Sequence, residues 1–425
     1  MVKYSKLTEE KPQYLIDIEL EIEKVKSQKF AAVMNQNFEL AVKLRKTERE
    51  LNEKLKPIKV QWEADYLRKL TLQKAISRYG NPIPSEILKR IELELDTIKT
   101  KGSSGNFLIA QDIIQTAQDM GVIVGPGRGS SAGSVVNYCL GITAIDPVKY
   151  DLLFERFNDH FEIYIDFDVS GREKILHWVT EKYEKEIDSA DNLFVTFRES
   201  SISIHFLGFE ILSVIKKTLS NIKQSKEIDL DISEIPMDDA KIFELYSRGD
   251  TEGIFQFESH GMQRFLQALQ PVKLEDLSAL SALYRPDSMD YIPDFIDRKQ
   301  GRKEIIYDFP KMGSRLKDTY GIYVYQEQIM LLSQDLAGFT PEQSNKMRIA
   351  MSKKQPDKLE ELKLKFIDGA TKNGFAPKEK LEKIWADWEE VSSFLFNKSH
   401  AVSYTIISYQ SAYLKAHFPE EFEEA

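Results

Sequence analysis

The sequence predicts an α+β protein that is mostly helical. Three observations carry this: apolar residues at helical spacing in a Lys/Glu-rich N-terminal stretch, a few short β-type runs between residues 122 and 206, and a long C-terminal region of charged amphipathic repeats.

The N-terminal stretch, residues 13 to 56, reads as a helical hairpin. Leu15, Ile18, Ile22 and Val25 share one face, Asn35-Gln-Asn37 supplies a turn, and Phe38, Ala41, Leu44, Leu51 and Leu55 resume the pattern before Pro57. Helices around 67–78 and 85–100 follow, then one carrying Phe107–Met120, a strand at Val122–Val124, a glycine-rich loop and a helix from Ser131 to Leu140. Strands are expected at Ile163–Phe167 and Ile202–Phe206, with a helix from Arg172 to Lys185 between them. From about Ile228 onward the pattern is helical with few strands.

A chain of 425 residues is long enough for two or three domains with cores of their own. Hydrophobic content of 42% and charged content of 30% are ordinary for a globular protein in water. The single cysteine, Cys139, excludes an intrachain disulfide, and together with a polar N-terminus and the lack of a membrane-length apolar run it points to the cytoplasm. A formal charge of −10 argues against coating nucleic acid through bulk charge, but leaves room for a basic channel. Arg298-Lys299, Arg302-Lys303 and Lys353-Lys354 are candidates for its lining or for a solvated face.

The most telling stretch is Gly125-Pro-Gly-Arg-Gly-Ser-Ser-Ala-Gly-Ser134, which follows the apolar run Gly121–Val124. Four glycines let backbone N–H groups approach a polyanion, Arg128 adds a fork of donors, and Ser130, Ser131 and Ser134 add hydroxyls. Downstream lies Ile165-Asp-Phe-Asp168, and carboxylates beside a phosphate cradle point to a divalent metal and to phosphoryl or nucleotidyl transfer.

From Glu63 onward the chain resembles the bacterial DNA polymerase III alpha-subunit family, the C family of replicative polymerases. The residues that carry this include Tyr66–Thr71, Asn106–Asp112, the 125–134 loop, Leu140–Thr143, Asp151–Arg156, Gly253–Ser259, Tyr320–Met330, Phe396-Asn-Lys-Ser-His400 and Tyr409–Lys415. The resemblance implies a polymerase beta-like nucleotidyltransferase palm at 63–213, shortened near 186–200 where the family carries a longer insertion, and a helical fingers domain at 214–425. It also implies template-directed addition of dNTPs to primer–template DNA, two Mg²⁺ ions, and contacts with other replisome proteins. The family's N-terminal phosphoesterase-like domain and its C-terminal helix-hairpin-helix and OB-fold segments have no counterpart here. Residues 1–62 are different in kind: Val33–Arg45 resembles the UVR-type hairpin of excision-repair proteins and Clp-family chaperone ATPases, which implies a protein partner. The junction near Trp62-Glu-Ala-Asp65 reads as a fusion.

In the family, two aspartates of one strand and a third from a later strand hold the metals. Aligning Asp166-Phe167 with that pattern places Glu162 and Tyr164 at the first two positions, and Phe206-Leu-Gly208 places His205 at the third aspartate. A neutral tyrosine supplies no counter-charge, and a histidine offers one soft nitrogen where Mg²⁺ prefers hard oxygen. On a strand, Glu162, Tyr164, Asp166 and Asp168 would share a face, so Asp166 and Asp168 are the expected metal ligands and, with Glu162, the expected catalytic carboxylates. Gly127, Arg128, Gly129, Ser130, Ser131 and Ser134 of the loop, with Arg348, Lys353, Lys398 and His400 of the fingers, are the expected nucleotide-binding set. Arg285-Pro-Asp-Ser-Met289 departs from the family's Arg-Pro-Gly-Pro-Met. Two readings follow: a DNA polymerase with impaired catalysis, or a non-catalytic nucleotide- or DNA-binding or scaffolding relative. A Clp-like chaperone partner is a third, resting on the hairpin alone.

Overall fold

The computed structural model describes residues 11–158, 161–184, 187–190, 194–197, 203–374 and 377–425. The N-terminal hairpin forms as expected, from α1 (Gln13–Met34) and α2 (Phe38–Tyr79), with the Asn37 side chain capping the second helix at Leu40 N. The extent of α2 differs from the expectation. Instead of stopping before Pro57 and restarting near residue 67, one helix of 42 residues runs through Pro57 and through the expected junction at 62–65. Pro57 faces solvent, and the helix tolerates the lost N–H there because no buried packing depends on that turn. Between Ala41 and Ala64, both buried, no α2 side chain is buried, whereas Ala64, Leu67, Thr71 and Ala75 form a buried row. The first half of α2 therefore forms a stalk with α1, and the second half docks onto the body.

The body begins with α3 (Ser85–Thr100) and α4 (Ser104–Asp119). The expected Val122–Val124 strand is reduced to a single bridge, Val124 to Phe167. The expected Ser131–Leu140 helix is split into a 3₁₀ turn at Gly129–Gly133 and α5 (Val135–Leu140), with the Ser134 hydroxyl accepting from Asn137 N. After α6 (Glu155–Asn158) come β1 (Glu162–Phe167), α7 (Val169–Lys182), β2 (Ile187–Ala190), β3 (Phe194–Phe197), β4 (Ser203–Gly208) and α8 (Glu210–Lys226). Lys185 and Ile202, at the ends of two expected elements, lie outside the described residues. The sheet order is β1-β4-β3-β2; β1 and β4 are parallel, with Tyr164 opposite His205 and Asp166 opposite Leu207, and the other pairs are antiparallel.

The period-2 alternation sorts the sheet into two faces. Ile163, Ile165, Phe167, Ile204 and Phe206 point into a core shared with Phe107, Ile113, Ile175 and Val179. Tyr164 and His205 point the other way and are partly exposed. From Leu212 on, a second core gathers around the helix Lys398–His417, and a third around Phe366, Trp385 and Trp388. A small fourth cluster joins Ala132 of the glycine loop to Val402 and Ile406 of that same helix. This contact sets the loop against the C-terminal helical region.

Candidate nucleotide site at the sheet end

The loop is fastened to the end of β1 by backbone bonds from Gly125 N to Asp166 O (2.8 Å) and from Asp168 N to Ile123 O (3.1 Å). Gly127 has φ of 96°, and a Cβ there would lie 2.7 Å from Thr143 Cγ2; a Cβ at Gly133 would lie 2.5 Å from Leu153 O. Those two glycines let the loop pack against protein. Ser131 is buried and donates to Arg128 O at 2.8 Å. Ser134 is buried and donates to Glu94 Oε2 at 2.8 Å. The Glu94 carboxylate also accepts from Val135 N and Val136 N, both at 3.1 Å, and is paired with Arg90. The anion-seeking N-terminus of α5 is thus satisfied by a carboxylate of this chain. Ser131 and Ser134, expected to meet phosphate, face inward; Arg128, Gly129 and Ser130 form the partly exposed crest.

Arg128 is itself engaged. Its Nε donates to Asp166 Oδ2 at 2.9 Å and its second arm lies 2.5 Å from Oδ1, while Asp166 is fully buried. The guanidinium also sits 5.3 Å from the Phe209 ring centre and 5.4 Å from that of Tyr404, on the helix Lys398–His417. The Tyr404 ring lies against His400, tilted at 46° with the centres 4.1 Å apart. Burial of His400, reinforced by nearby Arg128, lowers its pKa to about 4, so the imidazole is neutral at pH 7. Burial raises the Asp166 pKa, and the bonds and charge of Arg128 oppose that rise.

Asp166 and Asp168, expected to act as a pair, have separate partners. β1 ends at Phe167, so the alternation that would place Asp168 beside Asp166 stops one residue short. Asp168 turns away to cap α7: it accepts from Gly171 N, Ser170 Oγ and Ile123 N, and Lys216 Nζ lies 3.0 Å away. Burial works to raise its pKa, but these partners outweigh burial and hold the carboxyl below the usual range. Glu162 is exposed and accepts the Tyr164 hydroxyl at 2.8 Å. Burial, with that hydrogen bond, raises the Tyr164 pKa to about 12. The Tyr164 and His205 rings stack at 4.3 Å where two family aspartates would stand. Among the described residues no group of three or more His, Cys, Asp or Glu is placed to hold a metal ion. The residues present do not fit a two-metal centre: one carboxylate is neutralised by a guanidinium and another caps a helix.

The remaining expected nucleotide residues lie elsewhere. Lys398 borders a narrow cleft with Lys149, Asp151, Glu275, Arg315 and Glu327, its amine 5.9 Å from the Tyr325 ring centre. Arg348 donates to Asn345 Oδ1 beside a smaller pocket that includes Gln326 and Ser352, and Lys353 is exposed at the end of its helix. Of the basic pairs, Arg298 and Lys303 meet Asp294, Lys299 meets Asp276 and Arg302 meets Asp297. The two pairs at 298–303 therefore make local ion pairs. Glu94, Phe209, Lys216 and Tyr404 escaped sequence reasoning because these partners lie 40 to 276 positions away in the chain. Asp168 did carry a signal, being an N-cap residue type just before a helical run.

Residues 65–257 match the family described as the bacterial DNA polymerase III alpha NTPase domain, and residues 211–374 the one described as the bacterial DNA polymerase III alpha subunit finger domain. The chain is 32% identical to the DNA polymerase III subunit alpha of Aquifex aeolicus over 501 aligned positions, which take in 84% of this chain and 43% of that protein. It is 33% identical to the Bacillus subtilis subunit alpha (84% and 42%) and 33% identical to the Borreliella burgdorferi one (87% and 42%). It spans less than half the length of these relatives, and an alignment of 501 positions against 425 residues means the relatives carry segments with no counterpart here. Proteins of this kind use divalent metal ions. No helix among the described residues is long and apolar enough to cross a membrane. The chain belongs to the bacterial DNA polymerase III alpha-subunit family.

Proposed function

We propose that this chain engages primer–template DNA and nucleotide through the palm (63–213) and fingers (214–425) of its family, without efficient nucleotidyl transfer. The observation that carries this reading is the Arg128–Asp166 ion pair, which gives the one aspartate retained on the sheet face an internal counter-charge in place of metal. Two-metal transfer needs carboxylate oxygens free to bridge two ions, and Asp166 and Asp168 are both committed to protein partners. The Mg²⁺ pair expected from the family therefore has no place at this sheet end. Binding rests on separate groups: the crest at Arg128, Gly129 and Ser130, and the Lys398 cleft. Both belong to the set that the family resemblance assigns to dNTP and template phosphates, in a protein we place in the cytoplasm among other replisome proteins. The 1–62 hairpin is the segment we assign to a protein contact.

Primer extension with Mg²⁺ or Mn²⁺, run beside a gel shift on the same primer–template, tests this. The expected result is a salt-sensitive shift without extension. Extension that disappears in Asp166→Asn would support the polymerase reading and overturn this one.

A further inference from the structure

The stalk of α1 and the first half of α2 has an unusual surface. Among the described residues eight of the eighteen exposed large apolar side chains fall between Tyr14 and Val42. Phe30 (69% exposed), Met34 (67%), Phe38 (64%) and Val42 (70%) all lie close to the turn at 35–37. At about 1.5 Å of rise per residue they fall within roughly 8 Å of the tip along the helix axes. Together they expose on the order of 500 Å² of largely apolar surface, as much as the largest patch on a typical monomer. Tyr14 (52%) and Leu20 (62%) add a smaller apolar area near the base.

Charge is divided along the same stalk. Toward the base α1 carries Asp17, Glu19, Glu21 and Glu23, of which Glu19 pairs with Lys11 and Glu23 with Lys26, while the tip carries Lys43, Arg45 and Lys46 with Glu39 as its one acid, Lys46 lying 3.9 Å from Glu50. The stretch of α2 beside the acidic base holds both signs and partly pairs with itself, as Arg49 does with Glu53. A two-helix layer also leaves each helix with one face uncovered.

We infer that the stalk pairs with a second copy of itself, side by side and antiparallel, so that each apolar basic tip lies on the apolar acidic base of the other. Tip-to-tip pairing would oppose like charges, whereas antiparallel pairing about a two-fold axis satisfies both ends at once. Two tips and two bases exceed the roughly 1,000 Å² that marks a specific interface, and the product is a four-helix bundle.

The test is the mass of the full chain by size-exclusion chromatography with light scattering, over a dilution series. The wild type is expected to move from twice the chain mass to the chain mass on dilution, and Phe30→Asp with Met34→Asp to stay monomeric with unchanged far-UV circular dichroism. A charge exchange fixes the geometry. One variant reverses the tip (Lys43→Glu, Arg45→Glu, Lys46→Glu) and one the base (Asp17→Lys, Glu19→Lys, Glu21→Lys). Each alone is expected to be monomeric, and an equimolar mixture to form a heterodimer. A wild type that is monomeric throughout, a mixture that does not pair, or binding to phosphatidylserine vesicles that is lost in the Phe30/Met34 variant would overturn the inference.

Discussion

The sheet end and the Lys398 cleft come from the same family pattern, and they have come apart. At the sheet end nearly every polar group is answered from within the chain: Asp166 by Arg128, Asp168 by Lys216 and a helix terminus, the N-terminus of α5 by Glu94. In the cleft, Lys149, Arg315 and Lys398 share the lining with Asp151, Glu275, Asp318 and Glu327, and Arg315 is paired with Asp335. The carboxylates of the sheet end are closed onto partners of their own, while the cleft keeps basic and acidic side chains side by side. Motif retention and site retention are thus separate matters. The glycine loop is intact in sequence, yet Ser131, Ser134 and two of its glycines serve packing.

The comparison is most easily broken at Asp166. Replacing it by Ala leaves Arg128 without its buried counter-charge and is expected to cost about 3 kcal/mol of unfolding free energy in a urea titration; a cost below about 1 kcal/mol would mean the pair is not holding the sheet end together. Next in size is Asp168→Ala, which removes a helix cap and the partner of Lys216 and is expected to cost about 2 kcal/mol. Its pH dependence has a definite sign. A carboxyl held below its usual value stabilises the fold above the unfolded-state pKa, and that contribution is lost as pH falls through the folded value. Acid titration of wild type and Asp168→Asn should therefore show the variant losing less stability than wild type as pH falls through that window.

The cleft answers to a different measurement. Lys398→Ala is expected to weaken primer–template binding about tenfold in a gel shift and to leave the urea midpoint unchanged, sharpening the division between the cleft and the sheet end. The smallest effect is expected for Tyr164→Phe, which deletes only an exposed hydrogen bond to Glu162 and keeps the ring stacked on His205; about 0.5 kcal/mol or less is the anticipated cost.

Much of this was legible in the sequence because it depends on neighbours in the chain. The helical hairpin, β1 and β4, and the facing of Glu162, Tyr164 and Asp166 all follow from local periodicity. What was not legible depends on ends and on distant partners. Alternation predicts which face Asp168 would take if the strand continued, but whether it continues is decided by the helix that begins there. Pro57 predicts a helix end, and the exposed stalk lets the helix pass through it. The neutralisation of Asp166 by a residue 38 positions earlier leaves no trace in either local pattern.

At Asp166 the Arg128 guanidinium occupies the role that metal would take. Titration of the full chain with Mn²⁺, followed by electron paramagnetic resonance of the free ion, tests it most directly. No uptake that depends on Asp166 is expected, with identical curves for wild type and Asp166→Asn. Tight uptake of one or two ions by the wild type, lost in Asp166→Asn, would contradict it.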